Sequence, residues 1–596
     1  MTARRTATTR AVPILYSAAL AALVLGPLLG PGYLLIRDAV STPRSYLTDS
    51  ALGLSDAAAR AVPQDWLVAV LSSVVDGGVV VKTILFAALW LAGWGAARLV
   101  TVLLPGAGLG PQLVASTVML WNPYVAERLL QGHWSLLTGY AALPWIVCAA
   151  VSIRRGRPGG WWALTLCIAA AGLTPTGAIL AAVVALAVLG APGGRGSRAP
   201  RLLWTVLLVV AVSAPWLVAT AMSGGGATSD PAGVAAFAAR AEPGLGTIGS
   251  VAGLGGIWNG DAVPASRTSL WALGGTVLLL AVVACGLPAL WRRRRNPVVV
   301  ALAVLALAAV LLPALAATGF GLAVGEWAVV HVPGAGLLRD TQKWVALAAP
   351  LYVLAAAAGV RSLSARVSVP AAVPVAAVPV TVIAAVVLAL PDFAWGVGGA
   401  LKPVQYPASW QRVVERLEAS PEQGDVAVLP TGMFRMFPYS GDAPVLDPAP
   451  RMLPVDVLQT GQLVVGQAST VEGEGARAAR VEELLLSGAA PDELADQSVG
   501  WVLVERTTPG PLGESQRTLD RLEPVWSDDE LALYRVPGAA AAPPGDRSPA
   551  VAAHLVWATL LVGGALGALG SRLWSHRRNR PGFGAGDETR HVPSRG

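Results

Sequence analysis

Residues 269–316, SLWALGGTVLLLAVVACGLPALWRRRRNPVVVALAVLALAAVLLPALA, decide the fold. The apolar runs 269–290 and 297–316 each have about the 20 residues that a helix needs to cross hydrocarbon. In lipid every backbone polar group must be satisfied within the protein, so such runs read as spanning helices. Between them stand Arg292–Arg295 and no acidic residue. Arginine-rich loops stay on the cytoplasmic side, so the pair reads as two spans joined by an inward-facing loop.

Working outward, the pattern repeats. Further spans are expected near 12–36, 79–100, 111–126, 135–152, 160–173, 175–190, 202–222, 344–360, 369–390 and 550–573. With the first two this makes about twelve, unless the short pair between Trp161 and Gly190 is one bent hairpin. Composition agrees, with 54% hydrophobic and 13% charged residues, where a soluble domain has roughly 25% charged. Arg4, Arg5 and Arg10 precede the first span and put the N-terminus inside. Counting spans then places Arg154/Arg155/Arg157, Arg195/Arg198/Arg201, Arg361/Arg366 and Arg577/Arg578/Arg580 on the same side as Arg292–Arg295. An odd error in the count would move a cluster outside, so their agreement is a check. The acidic residues before residue 391, among them Asp38, Glu127 and Asp340, fall on the opposite, outer side.

These features exclude several classes. The net charge of +7 comes from the arginine loops, so no nucleic-acid partner is implied. Cys148, Cys167 and Cys285 lie inside spans and read as packing residues. No nucleotide loop, hydrolase elbow or metal-ligand cluster is present, and five His leave little for zinc.

After Leu390 the composition changes to that of a soluble α/β segment. Trp410–Glu418 and Val481–Leu486 have helical spacing, and Asp425–Leu429, Trp501–Glu505 and Leu531–Val536 read as strands. The expected organisation is a transmembrane part, 1–391, an extracytoplasmic α/β domain, 392–548, a final span, 549–575, and a disordered basic cytoplasmic tail, 576–596. The outer segments 37–78, with a half-apolar stretch Ala61–Val75, and 223–268 are long enough to be functional.

Three constellations could carry chemistry. Arg37-Asp38 stands where the first span meets the outside. Asp38 reads as a general base with a raised pKa at an apolar boundary, or as an interfacial carboxylate paired with Arg37. The stretch Trp121-Asn-Pro-Tyr-Val-Ala-Glu-Arg-Leu-Leu-Gln-Gly-His-Trp134 breaks a span at Asn122-Pro123 and gathers Glu127, Arg128 and His133. Ionisable groups at membrane depth line cavities and pair, so Glu127 reads as structural, Arg128 as a site residue and His133 as a polar cap. In Gly336-Leu-Leu-Arg-Asp-Thr-Gln-Lys-Trp344, a helix would put Arg339 and Lys343 on one face, suited to a phosphate. The alternative is that they hold lipid head groups or pair with Asp340.

Taken together, the outer Asp, N-P-Y-V-A-E-R-L-L-Q-G-H-W and R-D-T-Q-K-W resemble large polytopic membrane proteins of the GT-C glycosyltransferase superfamily. That group includes YfhO-like proteins and relatives of cell-wall arabinofuranosyltransferases. Val428-Leu-Pro-Thr-Gly-Met-Phe-Arg435 and Val445-Leu-Asp-Pro-Ala-Pro450 are similar to its outer domain. The resemblance implies an α-helical polytopic GT-C-like fold with a small extracytoplasmic α/β domain, in the cytoplasmic (inner) membrane. It implies transfer from a polyprenyl-phosphate sugar donor to an envelope glycan or glycolipid acceptor, among membrane lipids. Asp38 would be the catalytic base and Arg339, Lys343 and Arg128 would bind the donor phosphate, with Arg37, Glu127, His133 and Asp340 supporting. The superfamily's second carboxylate has no counterpart directly after Asp38, where Ala39 and Val40 are apolar, and no metal or cofactor is expected. The rival reading is a non-catalytic protein that binds, translocates or scaffolds envelope lipids.

Overall fold

Apolar runs become helices, and the structure, a computed structural model, describes residues 2–55, 61–222, 230–367, 376–420, 424–465, 469–540 and 545–578. Eight of the described helices are long and apolar enough to cross a membrane, and Arg198–Val212 with Ala214–Met222 adds a pair bent by 56°. The bend falls just before Pro215, which cannot continue the backbone ladder. The short region after Trp161 holds two helices, Gly160–Ala171 and Pro175–Gly190. Thr174 starts the second by accepting from the Gly177 N–H, with Pro175 in the first helical position, where no N–H is needed. The basic tail from residue 579 lies outside the described residues.

At one end of the helical body arginines cap open carbonyls. Arg154 donates to Val188 O (3.2 Å), Ala191 O and Pro192 O (2.7 Å). Arg293 donates to Leu103 O (3.0 Å) and Arg361 to Pro105 O (3.0 Å). Cations at helix C-termini satisfy the orphan carbonyls and complement the dipole.

At the other end the chain departs from the sequence expectation. The first helix does not run to residue 36. It stops at Leu25, passes through a turn of 3-10 helix, Gly26–Leu29, and becomes extended. Gly26-Pro27 and Gly30-Pro31-Gly32 are the cause, since Pro27 removes a donor and Gly26 takes φ 42°. Two short antiparallel strands follow, β1 (Leu35–Ile36) and β2 (Ala39–Val40), so Asp38 sits on a hairpin tip rather than a helix end. A second difference concerns residues 336–344. Ala335–Leu338 and Thr341–Ala348 are separate 3-10 turns, so Arg339 and Lys343 do not share a helix face. Asp340 breaks the run at ψ 84°.

The later part of the chain builds a sheet of β3 (Asp425–Leu429), β4 (Val499–Glu505), β5 (Glu523–Ser527) and β6 (Leu531–Arg535) in the order β3-β4-β6-β5. β3 and β4 are parallel, and β6 is antiparallel to both its neighbours. Side chains alternate across a strand. Val426 and Val428 therefore pack with Trp410 and Val413 of helix Ala408–Ala419. Ala427 and Leu429 pack with Val481 and Leu485 of helix Ala476–Ser487 on the other face. The strand over 523–527, with Pro524 and mostly exposed, carried no clear alternation to announce it.

The β1–β2 hairpin joins the two parts by the same alternation. Leu35 and Val40 enter the sheet's core, while Ile36 and Ala39 enter the helical core. Its tip docks on the turn that follows helix Pro123–Leu130, with the Asp38 N–H donating to Gln131 O (3.1 Å). Gly132 makes the approach possible. It sits at φ +85°, and a Cβ would fall 2.6 Å from the Ile36 carbonyl oxygen and closer still to the Ala39 nitrogen. Gly132→Ala is therefore expected to destabilise the protein by about 2–3 kcal/mol, from the left-handed backbone and the clash together. Thermal unfolding in detergent measures this, and an unchanged Tm would contradict the packing described.

Candidate active site

Helix Pro123–Leu130 positions the first group of side chains. Asn122 caps it, accepting from the Val125 N–H (3.2 Å), with Pro123 in the first position. Arg128 is then fully buried. Its two terminal nitrogens donate to both oxygens of Asp340 (2.7 and 3.0 Å), to Gln342 Oε1, and to His133 Nδ1 (2.9 Å). Only its Nε lacks a partner among the described residues.

The contact with His133 fixes a proton. A guanidinium only donates, so Nδ1 must be the acceptor and Nε2 must carry the hydrogen. Nε2 then donates to Asp38 Oδ2 (3.0 Å), and Gln131 Nε2 donates to the same oxygen (3.1 Å). Oδ1 of Asp38 has no hydrogen-bond partner among the described residues, and the side chain keeps 31% exposure. Burial alone would raise the Asp38 pKa, but the His133 and Gln131 hydrogen bonds and the Lys343 charge hold it below the usual carboxylate value. His133 is pulled below its ordinary value chiefly by burial, against the Asp38 hydrogen bond and with the Lys343 and Arg128 charges adding to the effect. The pair is thus a carboxylate beside a neutral imidazole. The sequence expectation that Asp38 has a raised pKa is reversed.

Lys343 stands 3.6 Å from Asp340 and keeps 23% exposure. Burial works against the Asp340 charge, but Arg128 and Lys343 hold its carboxyl well below the usual range. Arg339 packs its guanidinium 5.5 Å from the Phe237 ring centre, and its Nε donates to Gly336 O (3.2 Å). Arg37, at φ 44°, donates to Leu130 O (2.7 Å) and to Asp261 O, which braces the hairpin tip. Asp38, Arg37, His133, Arg339, Asp340 and Lys343 all border one cavity of 1650 Å³ between the helices and the sheet. Arg128 and Glu127 do not border it.

Glu127 is also fully buried and has a different task. It accepts from the Gly256 N–H (3.2 Å), the Ile257 N–H (3.1 Å) and Gln342 Nε2 (3.1 Å), which folds the long 230–268 segment over the site. Burial and the nearby Glu242 carboxylate push its pKa well above the usual range. Glu242 itself is buried in a pair with Arg267. Three polar contributors went unrecognised in the sequence: Gln131, Gln342 and the Glu242–Arg267 pair. The two glutamines lie inside motifs already singled out, three residues after Arg128 and one before Lys343, and a count of donors for the buried charges would have found them.

No protein-family model matches the chain, and no curated protein matches it. Among solved structures the chain is similar to the cryo-EM structure of arabinofuranosyltransferase AftD from mycobacteria. Identity is 17% and the TM-score 0.55, over 90% of this chain and 40% of that one. A mutant of the same enzyme gives 17% identity and a TM-score of 0.56, over 89% and 42%. The chain shares the fold of the matched part of that structure. This agrees with the resemblance carried by the sequence motifs, and the chain spans well under half the length of AftD. The site residues occupy the end of the helical body opposite the arginine caps.

The buried Arg128–Asp340 pair makes a direct prediction. Arg128→Met removes both hydrogen bonds to buried Asp340 and leaves it only the part-exposed Lys343, 3.6 Å away, which is expected to cost about 3–5 kcal/mol. Arg128→Met with Asp340→Leu should recover part of that loss. Chemical unfolding of the two variants checks it; equal destabilisation by both would contradict the pairing argument.

Proposed function

We propose that the protein is a membrane glycosyltransferase that moves a sugar from a polyprenyl-phosphate donor to an envelope glycan or glycolipid. The observation that carries this reading is the cavity that Asp38, with no hydrogen bond to its Oδ1 among the described residues, lines together with the cations Lys343 and Arg339. The fold shared with AftD, an arabinofuranosyltransferase, supports the reaction class.

In this reading Asp38 Oδ1 accepts the proton of an acceptor hydroxyl as that oxygen attacks the anomeric carbon in line. The carbon–oxygen bond to the phosphate breaks and polyprenyl phosphate departs with the bonding pair. The negative charge gathering on the phosphate falls near Lys343 and Arg339, where cations placed in advance lower the barrier. A carboxylate of low pKa suffices as base because the transition state has oxocarbenium character and the hydroxyl becomes acidic only late. Arg128 does not touch substrate. It is a positioning residue, holding His133 in the tautomer that points a donor at Asp38 Oδ2 and leaves Oδ1 for the acceptor.

The reading places the cavity at the outer face of the cytoplasmic membrane, with both termini inside. It is supported by the segregation of arginine-capped helix ends from the end that holds Asp38, Asp340 and Glu127.

Two measurements on purified protein with a panel of polyprenyl-phosphate sugars test the mechanism. Asp38→Asn should lower kcat by about 10²–10⁴, the range for loss of a general base; near-normal transfer would remove Asp38 from the chemistry. Lys343→Ala should chiefly weaken donor affinity, and unchanged binding would contradict the phosphate role. The pH dependence has a definite sign. Asp38 is held below the usual carboxylate value, so activity should stay flat from neutral pH down to the acid side and fall only as that carboxylate protonates. His133→Phe removes a hydrogen bond to the ionised form, so the acid limb should move to higher pH. A limb that stays in place would contradict the His133–Asp38 coupling.

A further inference from the structure

The cavity has two walls of different chemistry. The helical wall carries Arg37, Asp38, Arg339 and Lys343. The wall from the sheet's part of the chain includes residues 431–434 and 509–511, with Gln459, Gln462 and the carboxylates Asp442, Glu474 and Glu482 beside them. The loops follow β3 and β4, which are adjacent and parallel, so both leave carboxyl ends of strands on one edge. In open α/β sheets ligands bind in the crevice outside the carboxyl ends of parallel strands. Here that crevice opens into the space that holds Asp38.

The loops are braced from below before any ligand arrives. The Thr431 N–H donates to Pro511 O (3.1 Å), which ties one loop to the other. At Gly510 a Cβ would meet Pro430 Cβ at 2.5 Å, so their close approach needs glycine. Beneath them Arg435, fully buried, donates to Gly432 O (2.6 Å) and Phe434 O (3.3 Å) and pairs with Asp447 (3.0 Å) and Glu505. Glu482 accepts from the Gly432 N–H (3.1 Å), and Thr508 Oγ1 accepts from the Met436 N–H (2.8 Å).

What this wall offers is a hydroxyl, carboxamides and carboxylates beside apolar Phe434, Met436 and Pro511. Among the described residues, the one cation the sheet's part of the chain brings to the cavity is Arg451, and it is paired with Asp65 of the helical part (3.0 Å). Such a surface hydrogen-bonds hydroxyl groups and repels phosphates and carboxylates. We infer that the loops at the carboxyl ends of β3 and β4 form a subsite for an uncharged glycan, which lies along this wall with its terminal hydroxyl toward Asp38. The inference rests on the transfer reading above and names the chemistry of its acceptor as neutral polyol.

The test uses the full chain in nanodiscs, with saturation-transfer NMR against a panel of linear neutral oligosaccharides, furanose and pyranose. Binding of polyprenyl phosphate is measured in parallel. Wild-type protein should bind a neutral oligosaccharide. Gln459→Trp, which fills the wall, and Glu482→Ala, which removes an acceptor, should each weaken that binding at least tenfold and leave polyprenyl phosphate affinity unchanged. Gln459 is only half-buried, so its variant keeps the test alive where loss of Glu482 disturbs the loop. No oligosaccharide binding by wild type, or equal binding by Gln459→Trp, would overturn the subsite while the transfer reading stands. Tighter binding of a uronic-acid oligosaccharide than of a neutral one would overturn it as well. Glycan binding that Gln459→Trp abolishes, in a protein that binds no polyprenyl phosphate, would support the subsite and count against the transfer reading.

Discussion

A guanidinium without exposed surface must find its hydrogen-bond acceptors inside the protein, and Arg128 finds them on two segments far apart in the chain. Its partners are Asp340 and Gln342 from the break before helix Ala349–Val367, and His133 from the turn after its own helix. Leaving such a charge unpaired costs several kcal/mol, so these pieces are held together strongly. The order of the site follows from that requirement. Arg128 sets the tautomer of His133, His133 orients Asp38, and Asp340 holds Lys343 near the same space.

The hairpin that carries Asp38 solves a second problem, how the sheet is fixed to the helical body. Four residues with period-two alternation place Leu35 and Val40 in one core and Ile36 and Ala39 in another. The hairpin also makes backbone bonds outward: Tyr33 pairs with Val404, and the Leu446 N–H donates to Arg37 O (2.8 Å). Asp38 is therefore placed by packing on both sides, and a cavity between two walls of different origin arises at the seam. In the proposed transfer, base and cations come from the helical side and the glycan subsite from the sheet side, so donor and acceptor would be held on separate walls.

Much of the fold was legible because membrane helices and buried strands have strong patterns. Each expected span holds a helix, eight of the described helices being long and apolar enough to cross by themselves, and DVAVL and WVLVE are neighbouring parallel strands, DVAVL at the sheet's edge. The first helix was misjudged because apolar content continues past Leu25 while glycine and proline end the helix. The apolarity of Leu34–Ile36 belongs to strand packing, and hydropathy alone cannot tell the two apart. At the site, the motifs named residues that line one cavity, Asp38, His133, Arg339, Asp340 and Lys343, but not their grouping. Arg339 and Lys343 were paired by helical spacing, and the backbone instead breaks at Asp340 because its carboxylate turns to Arg128. Helix Gly319–His331, with Phe320 and Trp327 exposed, was missed because no separate apolar run marks it off from the preceding span.

The most direct test of the account is an experimental structure of the protein with a bound polyprenyl-phosphate sugar analogue. The account predicts the phosphate at Lys343 and Arg339, and the anomeric carbon facing Asp38 Oδ1 with room for one hydroxyl between them. A phosphate bound elsewhere, or a sugar turned away from Asp38 with no path for an acceptor oxygen, would contradict it.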